Sequence, residues 1–321
     1  MARRKIGKPR FYADTLQYLK AIGYYDGSDT PELFTLDPTN SNIYSTGDFS
    51  FNINKQDNAI SLLLSSIPSS DVSGVYAGVL GHDMTSDSSF GFKLSDGESV
   101  QEITATEIVN CLNGNSSEYG GYSLMQVNDI SFSENTNEVI FSVDGADIKL
   151  GAITFGRWFE PEYSFDLQAT MTNDYEGIKT KTTIGGYTLS NINHLGQPNW
   201  GNGLPAWSLG INEIDYNVGG AKGRRSWEVG LSYLTDDKIF SKAGNSDKFF
   251  TYDTDENTYT FDTSLSSFMR MSLNGKLPFI FCPDSSATDL EFALCRITNK
   301  PSFKQVANNL FNTSLIITET W

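Results

Sequence analysis

The chain has 321 residues, with 39 acidic against 23 basic side chains and a formal net charge of −16 at pH 7. Its 39% hydrophobic and 13% aromatic residues suffice for packed cores and exclude a disordered chain, and at roughly 100–200 residues per domain the length predicts two domains. The acidic surplus opposes nucleic-acid phosphates, and the longest apolar run, "ISLLLSSI", falls short of the roughly 20 residues of a membrane helix, so neither nucleic acid nor membrane insertion is expected.

The chain starts basic: Arg3, Arg4, Lys5, Lys8 and Arg10 precede the first acid. Setting those five aside leaves 18 basic residues against 39 acids, a balance of −21 on the remainder. No apolar core or small-residue cleavage site follows them, so no secretory leader is expected and synthesis in a host cytoplasm fits. In "FYADTLQYLKAIG", Tyr12, Leu16, Leu19 and Ile22 keep helical spacing and Gly23 can end the helix. Residues 1–40 are read as a basic arm, with this short helix and an acidic connector, suited to clasping a neighbouring subunit through its charge.

From residue 41 the punctuation becomes that of short strands. "DFSFNIN" alternates through Phe49, Phe51 and Ile53, and "EVIFSVDGADIKL" reads as a hairpin turning at Asp144-Gly145. Residues 41–155 are expected to form one antiparallel β-sandwich of jelly-roll or galectin-like type, with a boundary near Gly156. Beyond it, "YSFDLQATM" alternates through Tyr163, Phe165, Leu167, Ala169 and Met171, and "DYEGIKTKTTIGGYTL" is Thr-rich strand broken at Gly185-Gly186. In "GRRSWEVGLSYL", Trp227, Val229, Leu231 and Tyr233 share one side. "TSLSSFMRMSLNG" predicts a packing helix through Leu265, Phe268, Met269 and Leu273, capped by Thr263 or Ser264 and closed by Gly275. "LPFIFC", "EFALCRI" and "NTSLIITETW" supply the last strands. The expected fold is mainly β: two antiparallel sandwich or barrel domains, an N-terminal arm helix, and one helix in a C-terminal domain over 156–321.

Residues for chemistry are sparse. Cys111, Cys282 and Cys295 have no paired spacing and are read as reduced and buried, without zinc. His82 and His194 both lie in polar stretches, and no nucleophile-elbow motif is present. "GNGLPA" matches a dinucleotide fingerprint only formally, since Pro205 and the flanking tryptophans describe a loop rather than a helix start. "DTDEN" begins like a calcium loop, but Thr258 and Ser264 replace its glycine and glutamate. Glu160 with Glu162 and Asp236 with Asp237 read as solvated pairs. No catalytic residue, cofactor or metal is expected. Trp200 and Trp207 are either glycan-facing rings or covers of a barrel end. Arg224 and Arg225 either dock another subunit or bridge internally to Glu228, Asp236 or Asp237.

Four segments, "GRWFEPEYSFDLQATMTNDYEGIKTKTTIGGYTLSN", "GRRSWEVGLSYLTDDKIF", "KLPFIFCPD" and "FALCRITNKPSFKQVANNLFNTSLIITETW", resemble structural proteins of tailed-bacteriophage virions, of the distal tail type found in the tail tip or baseplate. They cover about half the chain, almost all after Gly156. The resemblance implies a virion protein repeated in a tail or tail-tip ring, whose partners are its own copies and adjacent tail tube, tail hub or fibre proteins. Distal tail proteins usually place the ring domain before the galectin-like sandwich, whereas here the sandwich-like part comes first. A neck or capsid-associated protein, a carbohydrate-binding adhesin recognising a host-surface glycan, and a β-rich glycoside hydrolase stand as alternatives.

Overall fold

The computed structural model describes residues 7–23, 25–28, 30–36, 42–53, 74–84, 88–95, 97–103, 107–111, 121–127, 138–174, 178–192, 224–235, 239, 250–253, 258–261, 265–286 and 292–320. In chain order these form β1 (Arg10–Asp14), helix α1 (Thr15–Ala21), β2 (Tyr25–Ser28), a 3-10 turn (Pro31–Phe34), β3 (Asn42–Tyr44), β4 (Gly47–Ile53), β5 (Val75–His82) and β6 (Ser89–Ser95). There follow β7 (Val100–Ile103), β8 (Glu107–Cys111), β9 (Gly121–Val127), β10 (Glu138–Asp144), β11 (Ile148–Leu150), β12 (Ala152–Phe159), β13 (Thr170–Asp174), β14 (Ile178–Thr182) and β15 (Thr188–Ile192). The last are β16 (Arg224–Leu234), β17 (Phe250–Asp253), β18 (Thr258–Phe261), helix α2 (Leu265–Met271), β19 (Phe279–Cys282), β20 (Ala293–Ile297), β21 (Phe303–Ala307) and β22 (Leu310–Glu319). The chain is mainly β, as expected.

One antiparallel sheet runs β13-β16-β22-β20-β19-β1-β12-β5-β9-β8, with β21 also paired to β22. A second runs β2-β4-β10-β6-β7, and β3 with β11, β14 with β15 and β17 with β18 form separate pairs. The first sheet draws strands from both halves of the sequence. Residues 10–14, expected in an arm, form its middle: Phe11 lies between Phe159 and Phe281 across the two ladders. The boundary expected near Gly156 falls inside β12, every residue of which is buried. A side chain at Gly156 would collide with the Ala13 carbonyl oxygen, so glycine is what lets β1 approach β12.

This sheet curls. Phe292, at the start of β20, meets Tyr122 of β9 at 5.6 Å between ring centroids. Five strand spacings in a flat sheet would hold them roughly 24 Å apart. Tyr12, Tyr76, Phe292 and Tyr122 therefore pack inside the curve. On the other face Phe11 gathers Phe165, Phe268, Phe279 and Phe281, which seats α2. Phe92 stacks on Phe155 and thereby joins the five-stranded sheet to β12. Each such ring, fully buried, contributes about 1.5–3 kcal/mol of hydrophobic stabilisation.

Several local expectations change. Tyr12 belongs to a strand, and α1 begins only at Thr15, where Asp14 caps it by accepting the Gln17 N–H at 3.0 Å. Gly23, at φ +87°, follows the helix as expected, but Ile22 is exposed. Leu273 leaves the α2 stripe because it sits past the helix end with positive φ. The strands flanking Asp144-Gly145 do not form a hairpin: β10 pairs with β4 and β6, while β11 pairs with β3. The positive φ falls on Gly145 and Asp147, and Thr46 clamps the corner by accepting the Gly145 N–H at 3.0 Å. In "YSFDLQATM" only Thr170 and Met171 are strand. Asp166 makes a turn, its carbonyl accepting the Ala169 N–H and its carboxylate the Ser232 hydroxyl. Tyr233 is exposed because a bulge between Leu231 and Leu234 turns it outward. His82 ends β5 fully buried, not in a polar loop. Among the described residues no helix is long and apolar enough to cross a membrane.

Candidate functional site

Alternation along β16 places Arg225 on the same side as Trp227, Val229 and Leu231, all buried. Along β22 the same parity buries Thr313, Leu315, Ile317 and Glu319. The two strands pair with Ser226 opposite Thr318, so Arg225 and Glu319 meet in the interior. Arg225 Nη2 donates to Glu319 Oε1 at 2.8 Å, its backbone N–H to Oε2 at 2.8 Å, and Nε to Oε2 at 3.3 Å. Nη2 also reaches the Phe292 carbonyl oxygen at 3.4 Å, and the guanidinium lies over the Trp227 ring. This is a buried, two-pronged ion pair. The described partner is Glu319 rather than the exposed Glu228, and the buried Arg225 presents no docking charge. Burial pushes the neighbouring Cys295 thiol well above its ordinary range, with Arg225 acting against that. The Arg224 side chain lies outside the described residues, as do Asp236 and Asp237.

The basic N-terminal cluster divides. Arg3, Arg4 and Lys5 lie outside the described residues, and Lys8 is exposed. Arg10 is used internally: its guanidinium donates to Glu160 at 2.6 Å and to Gln126 at 2.8 Å, and covers the Trp158 ring. Glu160 also accepts the Ser285 hydroxyl at 3.0 Å, so it is a buried acceptor and not half of a solvated pair.

His82 accepts the Met84 N–H at Nδ1, which assigns the proton to Nε2 and makes it the donor to Ser123 Oγ at 2.9 Å. Burial lowers its pKa to about 4, so the ring is neutral at pH 7. Asp14 shows the opposite shift: burial raises it to about 7, against the lowering effect of hydrogen bonds from Gln17, Thr154 and Leu16. Cys282 and Cys295 are buried thiols. His194, Trp200, Trp207, the Gly201–Ala206 segment, Asp255 and Asn257 lie outside the described residues, as do the side chains of Cys111 and Asp253. Among the described residues no three His, Cys, Asp or Glu side chains converge as metal ligands.

Two surface features remain. Beyond β13, at the end of the strand order, β14 and β15 pair, among the described residues, only with each other. Their connection is self-locked: Thr183 N–H donates to the Tyr187 carbonyl at 2.8 Å, and Thr183 Oγ1 accepts the Tyr187 N–H at 3.2 Å. Gly186, at φ +80°, supplies the left-handed residue. The tip holds Ile184 and Tyr187 in solvent, at 110% and 78% exposure, with Leu189 at 62%. A two-stranded hairpin is marginally stable alone in water, and contiguous exposed apolar surface marks an interaction site. The second feature is a groove of about 610 Å³ on the outer face of the five-stranded sheet, lined by Asp48, Lys93, Glu102, Ser142 and Asp144. Gly91 at its centre leaves the floor open. Phe90 and Phe92, its two aromatic neighbours, pack inward on Phe141.

Sequence reasoning missed Glu319 as the partner of Arg225, although residue parity carried the signal. It also missed the apolar tip, although the stretch from Ile178 to Ile192, Thr-rich with two lysines and no acid, was visible in an acidic chain. Compared with known family models and with curated proteins, the chain matches none.

Proposed function

We propose that the chain is a structural component of a tailed-phage virion, part of a tail or tail-tip ring, acting through contacts with its own copies and with adjacent tail proteins. The observation that carries this reading is the β14–β15 hairpin: a self-paired projection at a sheet edge, with its apolar tip in water, suits a docking element. The resembling segments also coincide with the end of β12 and with β13, β16, β19, β20, β21 and β22 of the large sheet, and with the β14–β15 hairpin. The reading takes the curled large sheet and the five-stranded sheet as two barrel- or sandwich-type bodies joined through β12. It assigns the work to shape and charge complementarity, without turnover. Mass spectrometry of purified particles of the phage encoding this chain tests the proposal. Stoichiometric presence in the tail fraction supports it, and absence from the particle overturns it.

A further inference from the structure

We infer that the hairpin Ile178–Ile192 of one copy seats in the groove on the five-stranded sheet of a second copy. This deepens the assembly reading above and rests on it. The first support is charge. The hairpin contains Lys179 and Lys181 and no acid, so the other residues carry 21 basic against 39 acidic side chains, a balance of −18. An arm of this sign is attracted to the body of its own kind. The groove concentrates that body charge: Asp48, Glu102 and Asp144 face it against Lys93, whose ammonium lies 3.5 Å from Asp48.

Register supplies the second support. Lys181 stands directly opposite Leu189, so cation and exposed apolar side chain share one face of the hairpin. A partner must then offer carboxylates beside an open, side-chain-free floor, which Gly91 provides between Asp48 and Glu102.

Within one chain the hairpin does not fill the groove: among the described residues none of 178–192 lines it, and Ile184, Tyr187 and Leu189 stand in solvent. Hairpin and groove are different surfaces of one chain, so their union is heterologous and can close as a ring.

Sedimentation velocity on the full chain tests this, with Lys179→Glu/Lys181→Glu, with Asp48→Lys/Glu102→Lys, and with all four together. Wild type is expected to self-associate, more weakly as salt is raised from about 0.05 to 0.5 M. Each charge-reversed pair is expected to weaken association about tenfold or more, and the four-fold variant to recover it. Ile184→Ser/Tyr187→Ser, which removes apolar surface without changing charge, is expected to weaken it as well. Circular dichroism melts identical to wild type confirm that all variants fold. Oligomers indifferent to the reversals would overturn this contact while leaving assembly through another surface intact. A monomer at every concentration would also overturn it, and the composition of the particle would then decide the virion reading separately.

Discussion

Replacing Glu319 with alanine removes both acceptors to which Arg225 directs its backbone N–H, Nε and Nη2. Arg225 is only 7% exposed and keeps the Phe292 carbonyl as a long contact, so its charge stays in the interior without the carboxylate that accepts three of its hydrogen bonds. Breaking a buried ion pair from one side costs about 3–5 kcal/mol, a large part of the 5–15 kcal/mol typical of a folded domain. Glu319→Gln keeps one acceptor and is expected to cost less, about 2 kcal/mol. The double variant Arg225→Met/Glu319→Leu removes both charges and fills similar volume, and is expected to recover most of the loss. Urea unfolding followed by tryptophan fluorescence reads all three, because Trp227 lies beneath the guanidinium. A Glu319→Ala variant within about 1 kcal/mol of wild type, or a double variant worse than either single one, would refute the buried-pair reasoning.

Asp14 is expected to make stability fall with rising pH. Its folded pKa of about 7 lies above its ordinary 3.8, so the folded form is favoured fully below about 3.8 and loses that advantage as pH rises through 7. Asp14→Asn keeps a capping oxygen and should gain on wild type across this range in urea midpoints measured from pH 4 to 8, whereas a constant difference would count against it. His82 carries the opposite sign: its depressed pKa of about 4 gives stability present above 6.5 and lost as pH falls through 4. Its NMR resonance, assigned with His82→Gln, should stay flat down to about pH 5, and a midpoint near 6.5 would contradict its burial. Gly156→Ala should lose about 1–3 kcal/mol in thermal melts through the collision with Ala13, and a neutral result would displace β1 from the sheet centre.

Particular residues show what could be read in advance. The strands "LPFIFC", "EFALCRI" and "NTSLIITETW" were legible because β-branched and aromatic runs between turn residues fit little else. The burial of Arg225 was legible too, since it shares parity with Trp227, but its partner was not. Glu319 lies 94 residues away, and only the pairing of β16 with β22 brings it near. β1 was hidden by ambiguity: Tyr12 stands four residues before Leu16, so a five-residue buried strand running into a helix imitates one longer helix. At Asp144-Gly145 the turn was correctly placed and its destination was not, because local turn chemistry does not say which sheet receives the returning strand. For the hairpin, Gly185-Gly186 announced the break. The exposure of Ile184, Tyr187 and Leu189 depends on whether another element covers the pair, a tertiary fact.

The most direct measurement is cryo-electron microscopy of the intact particle at side-chain resolution, with this chain traced in the tail tip. The account predicts a closed ring in which residues 178–192 of each copy lie across Asp48, Gly91 and Glu102 of the next. Copies arranged with that hairpin in solvent, or a particle lacking the chain altogether, would contradict it.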